Sequence, residues 1–306
     1  MKGFSILTEL RCEFSRRLPI TVSELDLGRY RLRALPTRYG APQEAILLFE
    51  NKMRKGHANS EEEGAIVISF LSLLFNCRVR QTGYRVNGLD ISAEHAKKSH
   101  LSGVFEGPIV QRDYAAQISK LQSLGEQMAK QFIRACNAYA LAIASIDLDE
   151  SLAFLLLVTA LECISTQEEF CPNSELDKQK KSTERYCHLV RQYCSEPSDL
   201  YASGGEEAFI RDLKTVYYSH RSGFVHGGKE VSIASRLADQ AGFHSIGHFV
   251  DGKEVFTPGL KWFFEVSRRT LLGFLDVYPS AGSAPNEELL ADIASARGVL
   301  TMRVAG

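Results

Sequence analysis

The sequence predicts an α+β protein. A smaller strand-rich N-terminal domain covers residues 1–112, an all-α helical bundle covers 113–280, and a tail over 281–306 holds one short helix. Three observations carry this reading. Near the start, apolar residues recur at every second position, as in a strand with one buried face. Beyond residue 113 they recur with the period of a helix, in long runs separated by loop signals. The balance of 44% hydrophobic and 24% charged residues supplies a full core for one large domain or two ordinary ones.

The elements follow in order. From Phe4 to Phe14, the residues Phe4, Ile6, Thr8, Leu10, Cys12 and Phe14 form one row. Ser5, Glu9, Arg11 and Glu13 form the other, with Leu7 the exception. In GRYRLRAL, Tyr30, Leu32 and Ala34 face one way and Arg29, Arg31 and Arg33 the other. EAILLFE at 44–50 fits a short buried strand or a helix fragment equally well. SEEEGAIVISFLSLLF reads as a helix with acids in its first turn, where the helix dipole favours them. CRVRQTGYRV reads as a strand, and 88–113, with Gly88, Gly103, Gly107 and Pro108, as connecting structure.

The second part is helical. Residues 114–146 form one long periodic stretch, and Asp147 or Asp149 caps a helix running to about Thr166. After a loop at Cys171-Pro172-Asn173 come a helix over 177–195, ended by Glu196-Pro197, and another from Glu206 to His226. A loose stretch rich in glycine and histidine, around Gly242, Gly247 and Gly252, leads to a helix whose start suits Pro258. The last helix spans 286–300. No internal repeat stands out.

A net charge of -1 argues against a nucleic-acid coat protein but leaves room for a local basic patch. The arginines Arg29, Arg31 and Arg33, with Arg78 and Arg80, are candidates for such a face along RNA, beside the simpler reading of a solvated strand. The seven cysteines are odd in number and irregular in spacing, the start shows no signal-peptide pattern, and the longest apolar run, 152–161, is too short to span a bilayer. The expectation is a cytoplasmic protein with reduced thiols and no membrane contact. Cys187 and Cys194 lie seven apart on one helix face, which fits core packing rather than the tight pairs of zinc sites. His244 and His248 have helical spacing but no third ligand, so neither metal nor cofactor is expected.

Two features exceed a plain bundle. Glu162 lies in LAFLLLVTALECI, apolar on nearly every side of its helix, so its carboxylate calls for a basic partner. The stretch YYSHRSGFVHGG, residues 217–228, sets Arg221 and His226 before a double-glycine stop. On an α-helix, at about 100° per residue, Tyr218, Ser222 and His226 share one row, while Arg221 lies about 140° from His226. At a helix C-terminus the dipole favours the imidazolium. An anion there is held by Arg221 and protonated His226. That pair suits metal-free RNA cleavage, in which the 2′-hydroxyl attacks the adjacent phosphorus and the reaction needs base, acid and a cation. A single His per protomer invites a second copy. The plainer readings are that Arg221 pairs with Glu162 to join two helices, that His226 caps its own helix, and that Tyr218 is a partly buried aromatic.

These residues resemble a known family. Arg221, four residues and His226 fit the R-x4-6-H motif of the HEPN superfamily, and YYSHRSGFVHGG is similar to the Y-x-x-R-S-x-x-V-H-G signature of its Apea-like group. LLLVTALECIST resembles the A-L-E segment of that group's earlier helix, and the resemblance covers roughly 114–280. It implies a helical bundle that dimerises with both motifs facing one cleft, and metal-independent endoribonuclease activity of the defence or toxin–antitoxin type. It implies Arg221 and His226 as the catalytic pair, supported by Ser222, Glu162 and Tyr218, with RNA as the partner and an antitoxin or defence protein as a further one. Ser222 is smaller than the Asn, Asp or His common at that position. A HEPN module that binds RNA, a nucleotide or a protein without catalysis is the second expectation.

Overall fold

Strand β1 (Ser5–Phe14) shows the alternation of its sequence: Thr8, Leu10, Cys12 and Phe14 are buried and Arg11 is exposed. A computed structural model describes residues 5–15, 24–36, 43–52, 60–92, 113–146, 148–165, 182–195, 197–201, 204–222, 233–250, 252–278 and 285–304. Among these, β1 lies inside an antiparallel sheet with β2 (Glu24–Leu27), β3 (Tyr30–Ala34), β4 (Gln43–Lys52), β5 (Val79–Val86) and β6 (Leu89–Ser92), in the order β2-β3-β4-β1-β5-β6. Leu10 stands opposite Leu47 on one side and Tyr84 on the other. Residues 44–50 are therefore strand: β4 pairs with both β1 and β3. Asn87 and Gly88 take positive φ angles of 49° and 81°, the conformation of a tight two-residue hairpin turn, and carry the chain from β5 into β6. The connecting structure expected from residue 88 thus begins with a strand, and residues 93–112 lie outside the described residues.

Helix α1 (Ser60–Phe75) covers the sheet. A Cβ added at Gly64 would come within 2.4 Å of Leu10 Cδ1, and Phe75 meets Phe14 edge-on at 5.9 Å. The periodic run after residue 113 breaks at Ser123–Gly125 into α2 (Tyr114–Gln122), capped by the Asp113 carboxylate, and α3 (Glu126–Ser145). The chain divides into two compact units: Met1–Ile133 with Pro279–Gly306, and Arg134–Tyr278. That division falls at residue 133/134 rather than near 112, and it places 281–306 in the first unit rather than as a separate tail. The reason is packing. Helix α9 (Leu289–Val304) lies against α1, and the Asn286 amide donates to the Gln122 carbonyl. Helical periodicity marks a buried face without naming the core that buries it.

The second unit holds α4 (Glu150–Ser165), α5 (Ser182–Tyr193), a 3₁₀ turn at Pro197–Leu200, α6 (Gly205–Thr215) and a π-helical continuation at Val216–Ser222. Then come α7 (Ile233–Ala241), the hairpin β7 (Ser245–Val250) and β8 (Lys253–Pro258), and α8 (Leu260–Val277). Helix α8 is the hub, in contact with α4, α5 and α7, and Phe263 stacks on Phe154 at 5.7 Å. Asp149 caps α4 by accepting the Ser151 and Leu152 amides, whereas Asp147 is outside the described residues.

This unit is not all-α. The glycine- and histidine-rich stretch forms a β-hairpin, because Gly252 at φ +75° turns the chain back and Ile246 to Val250 pair with Lys253 to Thr257. Consequently His244 and His248 do not share a helix face, and the His248 ring bonds Thr257 Oγ1 at 2.8 Å. Pro258 ends β8 instead of starting α8, which Gly259 caps. Cys187 and Cys194 are buried thiols, pushed up to about 11 and about 12 by that burial. Among the described residues no helix is long and apolar enough to cross a membrane.

Candidate functional site

The site grows from the end of α6. There the helix widens to i→i+5 bonding over Val216–Ser222, a rare form that is frequent at functional sites. The widened turn changes which side chains align. The row of Tyr218, Ser222 and His226 presumes an α-helix, whereas 216–222 is π-helical, and its members His226 and the Ser222 side chain lie outside the described residues. Arg221 instead lies over the ring of Tyr217, its guanidinium carbon 5.5 Å from the ring centre.

Glu162 of α4 meets this turn. Its Oε1 accepts a 2.7 Å hydrogen bond from the Tyr217 hydroxyl and lies 3.4 Å from Arg221 Nη2. Its side chain is 21% exposed and that of Arg221 30%, so the pair is half-buried and open to solvent on the arginine side. Burial first, then the hydrogen bond to Glu162 and its charge, push the Tyr217 hydroxyl above its usual range. Tyr217 therefore stays a donor at neutral pH. Beneath it, Tyr186 of α5 packs against Tyr217 with ring centres 5.4 Å apart. Its hydroxyl is fully buried, has no hydrogen-bond partner among the described residues, and is held protonated well above its usual range, chiefly by burial.

Tyr218 points the other way. It is 52% exposed and touches Tyr217 edge-on at 6.1 Å. It lines a groove of about 690 Å³ between α5 and α6, with Arg191, Glu206, Glu207, Arg211 and Lys214. Arg191 and Glu206 pair across it at 2.7 Å.

The structure thus brings Glu162, Arg221 and Tyr217 together and sets Tyr218 on the adjoining groove. His226, Gly227 and Gly228 lie outside the described residues, as do the side chains of His220 and Ser222. The five basic-face candidates belong to the first unit, and four of them pair with acids. Arg29 is nearly buried, bonded to Glu288, to the Glu287 and Glu50 carbonyls, and 3.4 Å from buried Glu63, which also accepts the Tyr30 hydroxyl. Arg31 and Arg33 share Glu24, and Arg80 pairs with Glu13. Arg78 is partly exposed, its amide donating to Ser15. Arg29 departs from the solvated face because it begins the turn into β3, where it reaches α1 and the segment before α9. Tyr217, Tyr186 and the groove cations went unmarked in the sequence. The i, i+4 spacing of Tyr217 and Arg221 is the signal that could have found Tyr217.

No family model, curated protein or solved structure matches the chain.

Proposed function

We propose that the second unit is a metal-independent, HEPN-like endoribonuclease module, with Arg221 stabilising charge on the phosphoryl oxygens and His226 moving protons to or from the 2′- and 5′-oxygens. What supports it most is Arg221. The guanidinium is anchored on one carboxylate oxygen at 3.4 Å yet remains 30% exposed, which leaves N–H groups for a planar, two-oxygen grip on phosphate. Glu162 and Tyr217 would orient the guanidinium without touching substrate. A second copy of the chain would bring a second His226, so that one imidazole acts as base and the other as acid.

The Glu162 carboxylate also favours a second reading. It offsets part of the Arg221 charge, as in a module that binds RNA, a nucleotide or a protein without cleaving. Incubation of the full chain with total RNA in chelator, beside His226→Ala, separates the two. Cleavage by the wild type and its loss, by about 100-fold or more, in a folded His226→Ala is the expected result. Equal cleavage by both, or none by either, would remove the catalytic claim.

A further inference from the structure

The groove between α5 and α6 has no role in the pair just described, yet its chemistry is not that of an ordinary surface. Arg211 and Lys214 of α6 and Tyr218 of its π-helical continuation all line the groove, so one wall presents two cations and an aromatic. Arg191 faces them from α5.

Arg211, Arg191 and Tyr218 are held by neighbours, whereas Lys214 is not. The Arg211 guanidinium carbon sits 3.6 Å from the centre of the Phe256 ring, and its Nε donates to Asp212 Oδ1 at 2.9 Å. Tyr218 rests edge-on against buried Tyr217 and turns its ring to solvent. Lys214 is exposed and has no ion-pair partner among the described residues. Two acids of the groove, Glu206 and Glu207, stand at the start of α6, with Glu206 paired with Arg191, and another acid, buried Asp212, pairs with Arg211 at 2.8 Å. An exposed, fixed aromatic flanked by cations fits a flat base with a phosphate on either side, the arrangement by which single strands are bound without sequence readout. An acidic peptide would use the cations but leave the ring uncovered.

We propose that this groove holds the single-stranded RNA segment next to the cleaved phosphate, with one base stacked on Tyr218 and the flanking phosphates on Lys214 and Arg211. The inference rests on the ribonuclease reading, since Tyr218 and Arg221 share one short π-helical turn.

The test is binding of the full chain to a labelled 2′-O-methyl oligonucleotide, which lacks the attacking hydroxyl and so reads binding apart from cleavage. Tyr218→Ala is expected to bind about tenfold more weakly and Tyr218→Phe as wild type, because the ring stacks and the hydroxyl does not. Lys214→Glu is expected to weaken binding and flatten its salt dependence. Both positions are exposed, and unchanged melting temperatures check the fold. Mononucleotide and polyglutamate competitors are expected to fail at concentrations where unlabelled oligonucleotide succeeds. No binding, wild-type affinity in Tyr218→Ala and Lys214→Glu, or equal competition by either competitor overturns the proposal. Groove-dependent binding without RNA cleavage would keep the groove and discard the ribonuclease; cleavage with unaltered binding in the variants would do the reverse.

Discussion

Glu162 carries more of the site than its neighbours. One of its oxygens serves both a neutral donor, Tyr217, and a cation, Arg221. A half-buried pair of this kind stands between exposed pairs, which contribute little, and buried ones, whose breakage is costly. A double-mutant cycle of Glu162→Gln and Arg221→Ala in urea unfolding is expected to give a coupling of about 1 kcal/mol. A coupling indistinguishable from zero would mean that the two side chains are neighbours without being partners. If Glu162 orients Arg221 for phosphate, Glu162→Gln also lowers kcat for RNA while leaving KM nearly unchanged; an unchanged kcat assigns the pair to folding alone. The need for a basic partner was legible in the sequence, because an acid in an apolar helix must be compensated. That Tyr217 also donates to it was not, because its spacing from Arg221 says nothing of which residue of α4 the hydroxyl reaches across the bundle.

Two element contacts in the second unit make sharp predictions. A Cβ at Gly273 of α8 would lie 1.9 Å from the Tyr193 carbonyl oxygen at the end of α5. Backbone cannot give way as a side chain does, so Gly273→Ala is expected to destabilise by about 3 kcal/mol or more, read as a lowered urea midpoint. A loss below about 1 kcal/mol would show that the two helices can slide apart at little cost. The second contact is Asp239 of α7, which accepts the Leu260 and Lys261 amides and so caps α8 from outside. Burial, more than any neighbouring charge, pushes its carboxyl up to about 6. The folded chain therefore holds this proton more tightly than the unfolded chain, and the group's contribution to stability is full at low pH and lost as pH rises through about 6. Asp239→Asn is expected to flatten that decline between about pH 4 and 7, as followed by unfolding midpoints. A difference between wild type and Asp239→Asn that does not change with pH across this window would contradict the assignment. Glycines in 242–252 suggested a loose segment in the sequence, yet one of them is the turn of a hairpin and another lies within its strand.

At the scale of the molecule, a net charge of -1 conceals local pairing of charge. Among the described residues, Arg29, Arg31, Arg33 and Arg80 of the first unit pair with acids, while in the groove of the second unit Arg191 and Arg211 are paired with Glu206 and Asp212 and Lys214 has no ion-pair partner. Binding through two or three phosphates is expected to give a slope of log affinity on log salt of about -1.4 to -2. A flat dependence would place recognition outside the cationic groove.

Local chemistry determined what the sequence alone could specify: the strand alternation of β1 and β3, the bounds of α1, a cap at Asp147 or Asp149 and the need of Glu162 for a partner. Each follows from residues close together in the chain, where period, propensity and the cost of an unpaired charge act directly. Only tertiary structure decided that β4 is a strand, that 285–304 joins the first unit, that Arg29 belongs to an ion-pair network, and that α6 continues as a π-helical turn placing Arg221 on Tyr217. Those outcomes depend on which surfaces compete for the same partner across long stretches of chain, and a local pattern does not record that competition.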